Sequence, residues 1–388
     1  MSEQLAYVII TPYTLYKSRT GGILARLISR TGLDLVGARM IAPSADLVQK
    51  YSGMIVSADD PQDRRIQELI RDYIMQNLSP DAKTGRRRRV MMLLFKGEDA
   101  VRKVRSVIGN ISIERRGGET IRDTYGDLIM EDGAVRYFEP AVLAAPNVEE
   151  VKAKIKLWAA YSDKDGGLMD NTIAYGPGDV PQRTLVLIKP DNFRFPTGRP
   201  GNVIDFFSRT GLYIIGIKVH RMSVAEASEF YGPVRDVLRT RLKEMVGSRT
   251  KALIEKEFGF KISPADEQKL ADLLGPLYGD NQFENIVKFM SGRAPSETDP
   301  AQLKQPGTER CIAIIYEGVE AVRKIRDVLG PTDPSKAPPG SIRREFGQTV
   351  MVNAAHASDS AESAQREMKI VNVPENTFKH VIEEFYGT

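Results

Sequence analysis

Ser29-Arg30-Thr31-Gly32-Leu33 is written a second time further along the chain, as Ser208-Arg209-Thr210-Gly211-Leu212. Each copy follows an apolar run ending in proline, Tyr7-Val8-Ile9-Ile10-Thr11-Pro12 and Leu185-Val186-Leu187-Ile188-Lys189-Pro190. Each leads into another strand-like run, Leu35-Val36-Gly37 and Ile214-Ile215-Gly216. Further on, Ala100-Val101-Arg102-Lys103-Val104-Arg105 returns as Ala321-Val322-Arg323-Lys324-Ile325-Arg326, and Ile121-Arg122 returns as Ile342-Arg343 at the same, larger offset. Identities that keep one order mark a tandem duplication, which has to be recognised before any fold is assigned. The offset grows because the second copy carries an insertion after Tyr231. The insertion's helical spacing is interrupted near Gly259 and Pro264 and reads as an added pair or trio of helices.

Within each copy the order is strand, helix, strand, helical region, strand, helix, then a loop and a final strand and helix. That order predicts an α+β fold of two tandem ferredoxin-like (βαββαβ) antiparallel-sheet domains. The expected boundaries are 1–160 for the first, 161–182 for a Gly- and Asp-rich linker, and 183–388 for the second, with its helical insertion at about 235–280. The stripe Val322, Ile325, Val328 and Leu329 is expected in the core, and Trp158 near the end of the first copy.

The composition is that of an ordinary globular chain: 388 residues, 41% hydrophobic and 27% charged, with a net charge of +4. So small an excess of cations does not argue for nucleic acid as a partner. One dense basic run, Arg86-Arg87-Arg88-Arg89, reads as a solvated loop before a strand, with an acidic partner or nucleic acid as the alternative. A single cysteine, Cys311, excludes an internal disulfide framework. The first residues lack a signal-peptide layout, and no apolar run approaches the ~20 residues that span a bilayer. A cytoplasmic setting with no membrane partner is expected.

One of the three histidines stands among small residues in Asn353-Ala354-Ala355-His356-Ala357-Ser358-Asp359-Ser360. Asp359 and Glu362 have capping-box spacing, which places the imidazole beside a helix N-terminus, where backbone N–H groups favour phosphate. The alanines leave room for a bulky anion. A site in which imidazole itself accepts a phosphoryl group would look like this. His220, at the end of a strand run, and His380, on an amphipathic C-terminal helix, read as structural.

These motifs resemble the nucleoside diphosphate kinases. Ile188-Lys189-Pro190-Asp191, Gly330-Pro331-Thr332-Asp333-Pro334, Gly340-Ser341-Ile342-Arg343 and the stretch around His356 follow the family's order in the second copy. The resemblance implies ping-pong exchange of a terminal phosphate between nucleoside tri- and diphosphates through a phosphohistidine at His356, with Mg²⁺ arriving on the nucleotide and no metal site on the protein. It implies catalytic roles for His356, Glu367 (on the other ring nitrogen), Lys189 and Tyr231. Lys189, Phe283, Arg326, Thr332, Arg343 and Asn353 would bind the nucleotide. Phe283 is one step from the family's base-stacking position, where Gln282 stands, and Ala357 replaces the usual glycine. A homo-oligomer, a dimer of two-domain chains or larger, is also implied.

The first copy has no histidine. Aligning Ala141-Val142-Leu143-Ala144 with residues 354–357 puts Leu143 at the nucleophile, Thr11 replaces Lys189, and Ile111 replaces Thr332. Tyr51, Arg105 and Arg122 match Tyr231, Arg326 and Arg343, and the arginines read as surface ion pairs or an anion site. This copy is expected to be inactive and to stand in for a partner subunit. The expected function is nucleoside diphosphate kinase with one site per chain; the alternatives are a non-enzymatic nucleotide-binding or scaffold protein and a protein histidine kinase.

Overall fold

The computed structural model describes residues 3–387 apart from 59, 61 and 112–116. The first copy supplies β1 (Glu3–Ile10), β2 (Asp34–Ile41), β3 (Val90–Glu98), β4 (Asp127–Glu131), β5 (Ala134–Glu139) and β6 (Val142–Leu143). The second supplies β7 (Pro181–Ile188), β8 (Tyr213–His220), β9 (Cys311–Val319) and β10 (Ala355–Ala357). The two four-stranded sheets run β2-β3-β1-β6 and β10-β7-β9-β8, while β4 and β5 form a separate hairpin. Read from the last strand, both orders are fourth, first, third, second, the ferredoxin-like arrangement, and the central pairings are antiparallel. The apolar runs of the two copies are the central strands: Leu5 to Ile10 and Leu185 to Ile188 are almost wholly buried. Burial on both faces is why they read as continuous apolar runs without alternation.

The expected linker is partly regular structure. Its first residues finish the helix Val148–Asp165, and Pro181 already opens β7. Trp158 is buried on that helix. Of the stripe assigned to the core, Ile325 and Leu329 are buried, while Val322 and Val328 are half-buried.

The described chain forms two compact units, Met1–Val219 with Ile312–Thr388, and His220–Cys311. Apart from the strand-end residues His220 and Cys311, both sheets belong to the first. There the helix Thr20–Thr31 packs on the helix Arg199–Ser208, joining the two copies. A Cβ on Gly201 would lie 2.3 Å from both the Ala25 nitrogen and the Gly21 carbonyl oxygen, so the two backbones touch where only glycine fits. Arg39 and Lys218 hold matching buried positions on β2 and β8. Arg39 Nε donates to the Ser162 carbonyl (3.0 Å) and Nη1 to those of Pro374 and Glu375 (3.1 Å each), which ties the chain's end to the first copy. Lys218 Nζ donates to the Val371 carbonyl at 3.1 Å.

The second unit is helical: Val224–Arg241, Lys243–Phe258 and Pro264–Ser291. The interruptions fall where the sequence put them, at Gly259 (φ +71°) and at Pro264 in a first turn capped by Ser263. The helices reach past 235–280 because the insertion lengthens a helix that already exists in the repeat: Ser44 and Ser223 cap matching helix starts. Counting from those caps, Tyr51 falls opposite Phe230. The pairing of Tyr51 with Tyr231 is therefore out of register by a single position.

The basic run is a loop, as expected, but it is not simply solvated. Arg87 pairs with the buried Asp165 at 2.8 Å, Arg88 donates to the Gln76 carbonyl at 2.7 Å, and Arg89 donates to the Ile214 carbonyl of the second copy. No described helix is long and apolar enough to cross a membrane.

Candidate active site

The site is built where the central strand β7 ends beside β10. His356 lies on β10, opposite Leu187 of β7. The strand is entered through a tight turn in which the Ala355 N–H donates to the Asn353 carbonyl at 2.9 Å across Ala354 at φ +71°. A side chain at that φ is strained, by about 1–3 kcal/mol, and the surroundings hold it there. Lys189 N and Asn192 Nδ2 donate to the Ala354 carbonyl at 2.9 and 2.7 Å, and the Ala354 N–H donates to Asp191 Oδ2 at 3.2 Å. Arg199 braces the same turn, reaching Asn192 Oδ1 at 2.9 Å and Asp191 Oδ2 at 2.8 Å.

The imidazole is about one-quarter exposed, and its Nε2 lies 2.9 Å from Oε2 of the buried Glu367. Glu367 comes from the helix Ala361–Val371 and is held in turn by Ser358 Oγ at 2.7 Å and Arg366 Nη2 at 3.3 Å. A carboxylate accepts, so Nε2 carries the ring proton and the lone pair sits on Nδ1. The helix cap is Ser360, whose Oγ accepts from the Ser363 N–H at 3.0 Å, one position later than the Asp359–Glu362 spacing implied. Asp359 is instead held below its usual range by a hydrogen bond from the Ser363 hydroxyl and by the nearby charges of Arg326 and His356.

Lys189, Thr332, Arg343 and Asn353 form one network. Lys189 Nζ donates to Asn353 Oδ1 at 2.9 Å and to the Met351 carbonyl. Asn353 Nδ2 donates to the carbonyls of Val350 (2.8 Å) and Thr332 (3.2 Å). Arg343 Nη1 reaches the Gly330 carbonyl at 3.0 Å and Thr332 Oγ1 at 3.4 Å, and Nη2 the Ala355 carbonyl at 3.2 Å. Burial, with a smaller push from Arg343, lowers the Lys189 ammonium to about 8 against the opposing pull of Asp191. Arg326 is exposed on the last turn of the helix Ala321–Leu329. Tyr231 and Phe283 belong to the helical unit, where both are buried: Tyr231 packs against Phe230 with ring centroids 4.9 Å apart, and Phe283 lies under Arg235 at 5.5 Å. His220 pairs with Glu226 at 3.4 Å in that unit, and His380 is an exposed residue of the C-terminal helix.

The first copy reproduces the scaffold with different chemistry. Leu143 pairs with Ile9 as His356 pairs with Leu187, after the same turn across Ala141 at φ +61°. Lys154 stands as far beyond Leu143 as Glu367 does beyond His356, and it pairs with Glu150. The carboxylate that would orient a histidine is thus a lysine. Glu139 takes up Thr11 Oγ1 at 2.8 Å, Tyr73 Oη at 2.6 Å and the Ala141 N–H at 2.9 Å. Arg122 is buried and donates to the carbonyls of Gly109 (2.9 Å) and Val142 (3.3 Å), so it is a buried backbone clasp and not a surface residue.

Sequence reasoning missed Asn192, Arg199 and Arg366, and it quoted Asp191 and Ser358 within motifs without giving either a role; all five brace the site from behind. It also missed Lys154, which its spacing from Leu143 could have found.

A family profile described as nucleoside diphosphate kinase matches residues 236–376. Over 190 residues, 49% of this chain and 92% of the relative, the chain is 30% identical to a nucleoside diphosphate kinase of Staphylothermus marinus. Another, from Campylobacter hominis, is 29% identical over 187 residues, 48% of this chain and 92% of its own length. A crystal structure of an NDP kinase from Pyrobaculum aerophilum, 26% identical, covers 49% of this chain and 95% of its own with a TM-score of 0.33. The chain belongs to the nucleoside diphosphate kinase family.

Proposed function

We propose that this chain is an active nucleoside diphosphate kinase with one working site, in the second copy, and that His356 carries the phosphoryl group. The observation that supports this most directly is the 2.9 Å contact between His356 Nε2 and Glu367, which leaves Nδ1 as the nucleophilic nitrogen. In the first half-reaction a bond forms between Nδ1 and the terminal phosphorus while the bond to the β,γ-bridging oxygen breaks, and the electron pair leaves with the diphosphate. In the second, a terminal oxygen of another diphosphate attacks the same phosphorus and Nδ1 departs with its lone pair. Glu367 keeps the Nε2 proton in place through both steps. Lys189, Arg326 and Arg343 balance the phosphate charge, and Asn353 and Thr332 orient its oxygens. Mg²⁺ enters this reading as part of the nucleotide substrate.

Residues 1–160 are read as an inactive copy and 183–388 as the catalytic one, joined by 161–182. A homo-oligomer and a cytoplasmic site of action follow from the same reading; light scattering tests the first and fractionation the second. The decisive experiment is incubation with γ-labelled ATP. The expected product is an acid-labile, alkali-stable phosphoprotein that GDP discharges, and His356→Ala never labels. Sustained turnover by that variant would overturn the assignment.

A further inference from the structure

Arg199 opens the helix Arg199–Ser208, two positions before the glycine whose backbone meets the first copy. Its guanidinium donates to three acceptors: the Phe346 carbonyl at 2.6 Å, Asp191 Oδ2 at 2.8 Å and Asn192 Oδ1 at 2.9 Å. Asp191 in turn accepts the Ala354 N–H, and Asn192 donates to the Ala354 carbonyl. One cation thus holds both backbone polar groups of Ala354, the strained residue through which the chain enters the His356 strand. Through Phe346 it also holds the end of the helix Ile342–Phe346, which carries Arg343.

The first copy shows which part of this belongs to the fold. Arg19 lies two positions before Gly21, as Arg199 lies before Gly201. It donates at 2.8 Å to the carbonyl of Tyr125, the last residue of the matching helix Ile121–Tyr125. That bond is common to both copies and is scaffold. The grip on the turn is different. Tyr13 and Thr14 stand in place of Asp191 and Asn192, and the Ala141 N–H goes to Glu139 at 2.9 Å, two residues back. Arg19 acts on that carboxylate through its charge. In the copy with the histidine, the arginine reaches the turn through two side chains and a fork of hydrogen bonds.

The start of this helix is seated on the first copy. A Cβ on Gly198 would lie 3.3 Å from the Ala25 Cβ, and one on Gly201 would lie 2.3 Å from the Ala25 nitrogen. Ala25 therefore meets the chain on both sides of Arg199. A Cβ on Gly21 would lie 2.5 Å from the Asp205 nitrogen, one turn further on. Backbones this close leave the helix no slack to slide.

We infer that the first copy, which has no histidine, is a positioning element for the second. Its helix Thr20–Thr31 fixes where Arg199 stands, and Arg199 fixes both the turn that aims His356 and the helix that carries Arg343. This rests on the reading of His356 as the phosphoryl carrier. Aim matters because a nucleophile displaced by about 1 Å loses about 100-fold in rate.

The test is single-turnover phosphorylation of the full chain by γ-labelled ATP, at a temperature where circular dichroism shows each variant folded. Arg199→Met is expected to slow labelling at saturating ATP about 100-fold. Arg199→Lys should lose only about tenfold, because an ammonium still serves Asp191 but cannot fork to Asn192. Gly21→Ala, a change wholly within the first copy, is also expected to lose about tenfold. In all three the ATP concentration giving half the maximal rate should change less than about threefold, since the displaced group is the nucleophile. Arg19→Met, which breaks the matching bond in the first copy, is expected to label at the wild-type rate despite a lower denaturation midpoint. A wild-type rate in Arg199→Met or in Gly21→Ala, or an equal loss in Arg19→Met, would overturn the inference. A wild-type chain that never labels at His356 would instead sink the reading on which it rests.

Discussion

Arg122 and Arg343 close the same backbone clasp in the two copies. Each guanidinium ties a glycine carbonyl in the preceding loop (Gly109 at 2.9 Å, Gly330 at 3.0 Å) to a carbonyl on the last strand of its sheet (Val142 at 3.3 Å, Ala355 at 3.2 Å). Retention of the arginine in a copy without a histidine therefore has a structural cause. Arg343 holds the loop against β10, and in the function proposed it also offers positive charge to phosphate.

The two arginines can be separated by mutation. Arg122→Leu leaves two carbonyls without their donor and is expected to cost about 2–4 kcal/mol of stability, read as a lowered denaturation midpoint, with turnover of the folded enzyme near normal. Arg343→Leu is expected to cost a similar amount of stability and also to raise KM for nucleotide. Equal loss of turnover in both variants would contradict this division.

Lys189 is expected to make turnover, though not stability, sensitive to alkali. Its ammonium titrates at about 8 in the folded chain against an ordinary value of 10.5, chiefly because it is desolvated. Between those two values the unfolded chain binds more protons than the folded one, so stability rises with pH across that window, by about 3 kcal/mol in total. Activity is expected to move the other way: if Lys189 attracts phosphate as proposed, kcat/KM should fall as the pH passes about 8 and the amine loses its charge. Lys189→Met should abolish both trends, which paired pH profiles of unfolding and turnover would measure.

Glu367→Gln keeps the size of the side chain but lets the imidazole adopt the wrong tautomer. A fall in kcat of about 100-fold or more is expected, with little change in KM. Ser358→Ala, which removes one donor to the carboxylate, should lose less. Stopped-flow measurement of the phosphorylation step distinguishes the two.

Ala354 is a strained position with no room for branching: it is wholly buried at φ +71°. Ala354→Val should destabilise the fold by about 2 kcal/mol or more and displace His356. Ala354→Gly should stay within about 1 kcal/mol of the wild type, because relief of strain offsets the gain in unfolded-chain entropy. Thermal denaturation of both variants provides the check.

The sequence by itself determined the duplication, the order of elements and the residues with which the chemistry is proposed. Central strands buried on both faces have to be continuous apolar runs, and residues 7–10 and 185–188 are written that way. Gly259 and Pro264 interrupt helices wherever they occur, so the insertion was legible too. His356, Lys189 and Arg343 stood out because their motifs are contiguous.

Only the tertiary structure decided what lies behind those residues. Arg199, Arg366 and Ser358 act through partners that the folded backbone brings within 3.3 Å, and nothing in the local sequence, not even the motif that contains Ser358, tells which partner each meets. The cap at Ser360 depends on where β10 ends. The basic run 86–89 looked like solvated charge, because nothing in its spacing tells that Asp165 and the Ile214 carbonyl fold onto it. Periodicity along the chain records which face of an element is buried; which side chains meet across the copies is set by how two sheets and their helices pack, and that information is not periodic.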